Sequence, residues 1–207
     1  ALGQRPSGTK DPFGLRRSAL GLLRIVLEGR FVLDLAPLLL TAVEAARTDS
    51  LRVTGKTPAP AAEVAAQLQE FLNDRLRGLL VDGGRVAGAT GEMFEAVAAN
   101  QPTAPLDFEA RLLALVAFLQ LPEAAALAAA NKRAANLLKK SEEATGNVDP
   151  AALVLPAEQA LHAAIEAVRP AVETGLAAGE YTAALSLLSQ LRAPVDAFFD
   201  GVMVNDE

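Results

Sequence analysis

Five residues within one short segment have side chains suited to contacting a nucleic acid. The segment "ANKRAANLLKK", residues 130–140, contains Lys132, Arg133, Asn136, Lys139 and Lys140, and it contains no acid. Lysine and arginine bring positive charge to phosphate oxygens, and an asparagine amide can hydrogen-bond to a base edge or a sugar. The whole chain has a net charge of −6, whereas this segment carries +4. Such a local basic surface on an acidic protein is a candidate site for a polyanion.

A helix through this segment would bring the five side chains together. At about 100° per residue they fall within an arc of about 120°. The opposite side holds the apolar residues, which we expect to be buried: Leu127, Ala130, Ala134, Leu137 and Leu138. Two interpretations stay open. The cations either form a solvated face that complements the dipole at the helix C-terminus, or they contact phosphate.

The composition favours helices throughout the chain. Of 207 residues, 51% are hydrophobic and only 4% aromatic, and alanine and leucine are the commonest types. Alanine and leucine cost little in a helix, and β-branched residues are sparse. Because most connections are short, we predict an all-α protein in which neighbouring helices pack as an antiparallel bundle.

Several classes of protein are excluded or disfavoured by the sequence. The chain has no cysteine, which excludes a disulfide scaffold or a thiolate metal site and is consistent with a cytoplasmic location. No uncharged apolar run reaches the roughly 18 residues that a membrane span requires. The first residues, "ALGQRPSGTKDP", lack the apolar core of a signal peptide. We expect the chain to be a fragment of a longer protein.

Capping and turn residues predict the element boundaries. The first helix is expected to have Asp11 as its N-cap, Pro12 in its first position and Gly29 as its stop. The polar stretch 48–60 predicts a linker. We therefore expect a leading helical segment over residues 1–60 and a helical domain over 61–207. Further helices are predicted over 35–47, 61–80, 91–99, 106–121 and 122–140, then one interrupted or kinked at Pro170, one over 180–191 and a last one starting at Pro194.

Other charged residues have two interpretations each. Arg75 and Arg77 are candidate phosphate contacts, although pairing within the chain, for example of Arg75 with nearby acids, is the simpler expectation. Arg111 is expected to pair with Asp107, four residues earlier on the same helix. The only histidine, His162, lies among alanine and leucine and is interpreted as a structural or surface residue.

The last helix contains a pair of carboxylates and a pair of aromatic rings. Asp196 and Asp200 are four residues apart, a spacing that an acid–base site could use, but local pairing of Asp196 is the simpler interpretation. Phe198 and Phe199 are expected to belong to the core. The alternative is that one of them stacks on an unpaired RNA base.

Four blocks of the sequence resemble one known family. They are "GTKDPFGLRRSALGLLRI", "LNDRLRGLLVDGG", "LPEAAALAAANKRAANLLKK" and "LRAPVDAFFDGVMV", in this order. Together they resemble the C-terminal portion of the bacterial glycyl-tRNA synthetase beta subunit. Residues 61–207 resemble its helical anticodon-binding domain, of the type shared with arginyl-tRNA synthetase.

The resemblance implies a role and a set of partners. It implies a region that binds the anticodon arm of glycine tRNA, in a ligase built from two alpha and two beta subunits. The alpha subunit would carry the site that uses ATP, Mg²⁺ and glycine, so no catalytic centre, metal site or cofactor is expected in this chain. The expected partners are glycine tRNA, the alpha subunit and the remainder of the beta subunit, with no membrane or DNA. The alternative role is packing between parts of the synthetase without reading the anticodon.

Overall fold

Helices account for almost all the regular structure. A computed structural model describes residues 11, 13–55, 58–140 and 148–202, with the side chains of Thr54 and Lys140 outside the description. This part of the chain contains no strand, which confirms the all-α prediction. A π-helical turn follows α3, and short 3₁₀ turns precede α7 and α9. The α-helices are α1 (Leu15–Glu28), α2 (Leu35–Thr54), α3 (Ala61–Arg77), α4 (Gly91–Ala98), α5 (Pro105–Phe118), α6 (Ala124–Lys140), α7 (Pro156–Ala178), α8 (Tyr181–Leu188) and α9 (Arg192–Gly201).

The chain folds as two compact units, and the boundary between them in the sequence falls within α5. Unit 1 comprises Ala1–Leu113 and unit 2 comprises Ala114–Glu207. In unit 1, α3 packs against both α1 and α2. In unit 2, α7 packs against α8 and α9, and α6 packs against α9. The expected division of the family's domains at residue 60 stays a prediction. Among the described helices, none is long and apolar enough to cross a bilayer.

The first helix starts later than predicted. Gly14, with a left-handed φ of 65°, is the N-cap, and the helix begins at Leu15. A turn intervenes, in which the Gly14 N–H donates to the Asp11 carbonyl oxygen at 3.1 Å. The Asp11 carboxylate still accepts a hydrogen bond from the backbone N–H of Arg16 at 3.1 Å. Asp11 therefore satisfies a donor of the first helical turn, although it lies outside the helix. Pro12 lies outside the described residues, and the predicted stop at Gly29 is confirmed.

The second helix is longer than predicted. It continues through the polar residues expected to form a linker and ends at Thr54, with Gly55 as a left-handed C-cap at φ 68°. Side-chain contacts within the helix accommodate these residues. The Thr48 hydroxyl donates to the Glu44 carbonyl oxygen at 3.2 Å, and Arg52 pairs with Asp49 at 3.6 Å. The connection before α3 is therefore confined to residues 55–60.

A π-helical turn ends the third helix. The predicted helix over 61–80 is α-helical to Arg77 and then widens into the turn Gly78–Asp82. The predicted stop is present, because Gly83 caps this turn. Leu80 lies in the turn and is fully buried, as are Phe108 and Leu112 of α5. The core of unit 1 therefore includes the α3–π segment and α5, together with Leu23 and Leu27 of α1, which are each 1% exposed.

A buried acid joins distant parts of unit 1. Glu109 on α5 is only 5% exposed. Its carboxylate contacts the guanidinium of Arg30 at 3.0 Å and that of Arg85 at 2.5 Å. Arg85 also donates to the carbonyl oxygen of Leu27 at 3.2 Å. The cluster thereby connects the end of α1, the turn after the π segment and α5.

The seventh helix passes through its proline without interruption. It is continuous from Pro156 to Ala178 with Pro170 inside, so the predicted interruption is absent. Proline removes one backbone hydrogen bond, to the carbonyl four residues earlier. Downstream of the proline, the Thr174 hydroxyl donates to the Pro170 carbonyl oxygen at 2.7 Å.

Close packing of α7 on α8 depends on a glycine. A Cβ added at Gly175 would lie 3.4 Å from the Cβ of Ala184, which is itself fully buried. We expect Gly175→Leu to lower the free energy of unfolding by about 1–3 kcal/mol, because the larger side chain must displace α8. Gly175→Ala is the matched control and should be near neutral, since the tight methyl contact is offset by a better helix propensity. Urea unfolding of the two variants measures both effects. Equal stabilities would contradict close packing here.

Candidate nucleic-acid interface

Three residues of α6 form an exposed polar row. Lys132, Asn136 and Lys139 are all exposed, and they are spaced by four and three residues along the helix. Residues at these spacings lie on the same face. With a rise of about 1.5 Å per residue, the row is about 10 Å long. We call these three residues the cationic row.

The opposite face of α6 is covered less completely than predicted. Ala130, Ala134 and Leu137 are half-buried, as expected for a face that packs on the rest of unit 2. Leu138 is 59% exposed, so its predicted burial is wrong. At about 100° per residue, Leu138 lies about 100° around the helix from Leu137, on the flank away from Arg133. Arg133 is on the side that contacts α9.

The two lysines of the row differ from the arginines elsewhere in unit 2. Arg169 contacts Glu166 at 2.6 Å, and Arg192 contacts Asp196 at 3.7 Å. Among the residues that the structure describes, no carboxylate lies within ion-pair distance of Lys132 or Lys139. The segment "ANKRAANLLKK" itself contains no acid. With respect to the described residues, both ammonium groups are therefore available to an external anion.

Arg133 has a partner that the sequence pattern did not indicate. Its guanidinium carbon lies 4.3 Å from the centroid of the Phe199 ring on α9. Phe198 approaches the same ring edge-on, with 5.4 Å between centroids. Both rings are half-buried, so they are less covered than the residues of the core to which they were expected to belong. The contact joins residues 66 positions apart in sequence, so no helical periodicity could have revealed it.

Lys140 is the last residue of α6. Its side chain lies outside the described residues, and its assignment to the interface stays a prediction. The structure thus brings Lys132, Asn136 and Lys139 into one row, with Arg133 beside it.

The two remaining candidate residues lie in unit 1 and interact within it. Arg75 stacks on Phe71, 3.6 Å from the ring centroid, and contacts Asp74 at 3.2 Å. This confirms the expected pairing of Arg75 with a nearby acid. Arg77 lies 4.0 Å from Glu95 and is about half exposed. Both residues stay candidates for phosphate contact, but each already has an intramolecular partner.

The other polar residues have local roles. Arg111 contacts Asp107 at 2.8 Å, which confirms the predicted pair. Asp196 pairs with Arg192 on its own helix, as the simpler interpretation expected. His162 is half-buried on α7. Within the described ranges, no group of three or more potential metal ligands is present.

Sequence comparisons assign the chain to a family. A family model described as "Glycyl-tRNA synthetase beta subunit" matches residues 1–99. The glycine–tRNA ligase beta subunit of Acinetobacter baylyi is 48% identical over 203 residues, covering 98% of this chain and 28% of the relative. That of Haemophilus influenzae is 44% identical over 206 residues, covering 100% of this chain and 28% of the relative. That of Delftia acidovorans is 44% identical over 207 residues, covering 100% and 27%.

The chain therefore spans a little over a quarter of the length of these curated relatives, about 28%. The similarity nevertheless extends across both units, because it covers 98% or more of this chain. Over the region that it spans, the chain belongs to the glycyl-tRNA synthetase beta subunit family.

Proposed function

We propose that this chain is a tRNA-binding region of a glycine–tRNA ligase, and that α6 docks the anticodon arm of glycine tRNA. The observation that carries the proposal is the cationic row. Lys132 and Lys139 are exposed on one face and have no carboxylate partner among the described residues. An acidic chain with two exposed ammonium groups in line has a surface matched to a phosphodiester backbone.

The lysines of the row would supply affinity, and its asparagine would supply specificity. Each lysine offers a compact charge with three N–H donors, which binds phosphate without reading sequence. Asn136 lies between the two lysines and has both a donor and an acceptor for a base edge or a sugar hydroxyl. An anticodon loop suits such a surface, because its bases are unpaired and can turn towards the protein.

The role of the whole enzyme follows from the family. We propose that the complete protein supports ATP-dependent glycylation of tRNA in the cytoplasm, as part of a tetramer of two alpha and two beta subunits. The ATP, Mg²⁺ and glycine chemistry would take place on the alpha subunit. In that assembly, this chain would contribute binding and positioning of the tRNA.

Binding to glycine tRNA and to variants with altered anticodon bases, each at two salt concentrations, tests the proposal. We expect the native anticodon to be preferred, and we expect affinity for every tRNA to fall as salt rises, because phosphate contacts release counterions. Equal binding to all variants would reduce the row to a non-specific electrostatic surface. Absence of binding at low salt would contradict RNA binding by this chain.

A second role is favoured for unit 1 by its exposed apolar residues. They cluster in sequence at the end of α1, in the connection that follows and at the start of α2. Ile25 is 63% exposed, Val32 88% and Leu38 50%. Exposed apolar residues in such numbers are typical of a surface that packs on another protein part. We propose that unit 1 packs against the remainder of the synthetase while unit 2 contacts tRNA.

A further inference from the structure

We propose that Arg133 and Phe199 form a stacking platform for one unpaired base of the bound RNA. The proposal rests on the proposed docking of the anticodon arm on α6 and adds a specific contact to it. The cationic row would hold the backbone, and the platform beside it would hold a base.

The guanidinium of Arg133 is positioned by an aromatic ring. The Arg133 guanidinium carbon lies 4.3 Å from the Phe199 ring centroid, well within the distance at which a cation is attracted to an aromatic face. The ring itself is half-buried, belongs to α9 and is contacted by Phe198. A long side chain held in this way loses less conformational entropy when a ligand binds.

Arg133 is also exposed to solvent. The Phe199 ring covers one side of the guanidinium, yet Arg133 remains an exposed residue. Arg133 therefore keeps surface that a ligand can reach. A guanidinium is planar and weakly hydrated, so it stacks on flat π-systems. Nucleobases stack on arginine planes in the same way as on aromatic rings.

The platform lies beside the cationic row. Around α6, Arg133 lies about 100° from Lys132 and about 60° from Asn136. A strand whose phosphates follow the row would therefore have the platform on the flank towards α9. A base reaches that flank only if it is unpaired, because a paired base is held within its own duplex.

The test separates stacking from charge with conservative variants. Arg133→Lys keeps the charge but removes the plane, and Phe199→Leu keeps an apolar side chain but removes the ring. The two RNA ligands are the anticodon stem–loop of glycine tRNA and a blunt duplex with the same number of phosphates. Arg192→Lys is the matched control, because Arg192 is an exposed arginine of α9 that pairs with Asp196.

We expect both variants to bind the stem–loop about five- to tenfold more weakly, as loss of one base stack predicts. The dependence on salt should be unchanged, because no charge is lost. Duplex binding should change less than about twofold, and Arg192→Lys should resemble the original chain on both RNAs. Melting curves followed by circular dichroism verify that the variants are folded, and Arg133→Lys, at an exposed position, decides the question if Phe199→Leu is unstable.

Two results would overturn the platform. One is unchanged stem–loop affinity for Arg133→Lys, and the other is an equal loss on stem–loop and duplex. RNA binding by the original chain shows whether the platform alone or the proposed function as a whole has failed. If it binds neither RNA, RNA docking and the platform are both wrong, whereas binding without an effect of Arg133→Lys contradicts the platform alone.

Discussion

Replacing both Lys132 and Lys139 with alanine is expected to weaken binding of glycine tRNA by about 10- to 100-fold at low salt. Each lysine is assigned a phosphate contact, so the slope of log affinity against log salt concentration should become shallower by about 1.5. The loss should be similar for native and altered anticodons, because phosphate contacts position the RNA without reading its sequence. Filter binding over a salt series measures all three quantities.

A charge-matched control is available on α7. Arg169→Glu changes the net charge by the same two units as the double lysine variant, at an exposed residue that pairs with Glu166. It should weaken binding by less than about threefold, because it acts only through the general field of the protein. If Arg169→Glu and the double variant lose equal affinity, net charge rather than the cationic row binds the RNA.

Replacing Glu109 with glutamine is expected to lower the free energy of unfolding by about 2–3 kcal/mol. Hydrogen bonds to charged groups each contribute about 1.5–3 kcal/mol, and Glu109 accepts from both Arg30 and Arg85 while almost fully buried. Glutamine has nearly the same shape as glutamate but no charge. Its amide N–H₂ group is a donor, so it cannot hydrogen-bond to an arginine, which also only donates. The loss of unfolding free energy should be smaller than for a fully buried ion pair, because the Arg30 side chain is 71% exposed and can be hydrated when the pair is broken. Urea unfolding followed by circular dichroism measures the change.

The matched control makes the same chemical change at the surface of unit 1. Glu95 lies 4.0 Å from Arg77, and its side chain is 68% exposed. Glu95→Gln should change the free energy of unfolding by less than about 0.5 kcal/mol, as is usual for exposed pairs. If the two variants were equally stable, Glu109 would not connect the segments of unit 1.

The sequence predicts those features of the fold that depend on neighbouring residues. Alanine and leucine indicated helices, and Gly29 marked the end of α1 because glycine adapts easily to a helix terminus. The spacing of Lys132, Asn136 and Lys139 predicted their common exposed face. The pair Asp107–Arg111 followed from positions four apart on a helix.

The features that the sequence did not predict depend on contacts between distant residues. Glu109 meets Arg30 and Arg85, which are 79 and 24 positions away. Phe199 on α9 contacts Arg133 on α6. Whether Leu138 is covered depends on where neighbouring elements end, which no helical period encodes. The predicted linker over 48–60 was too long because side-chain hydrogen bonds within a helix can accommodate polar residues.

The most direct test of anticodon-arm docking on the cationic row is an NMR titration of the 207-residue chain with the anticodon stem–loop of glycine tRNA. We expect the largest amide shift changes on residues 130–140 and around Phe199, with little change along α1 and α2. Changes concentrated on the exposed apolar residues of α1 and α2, or an absence of changes on α6, would contradict docking of the anticodon arm on the cationic row.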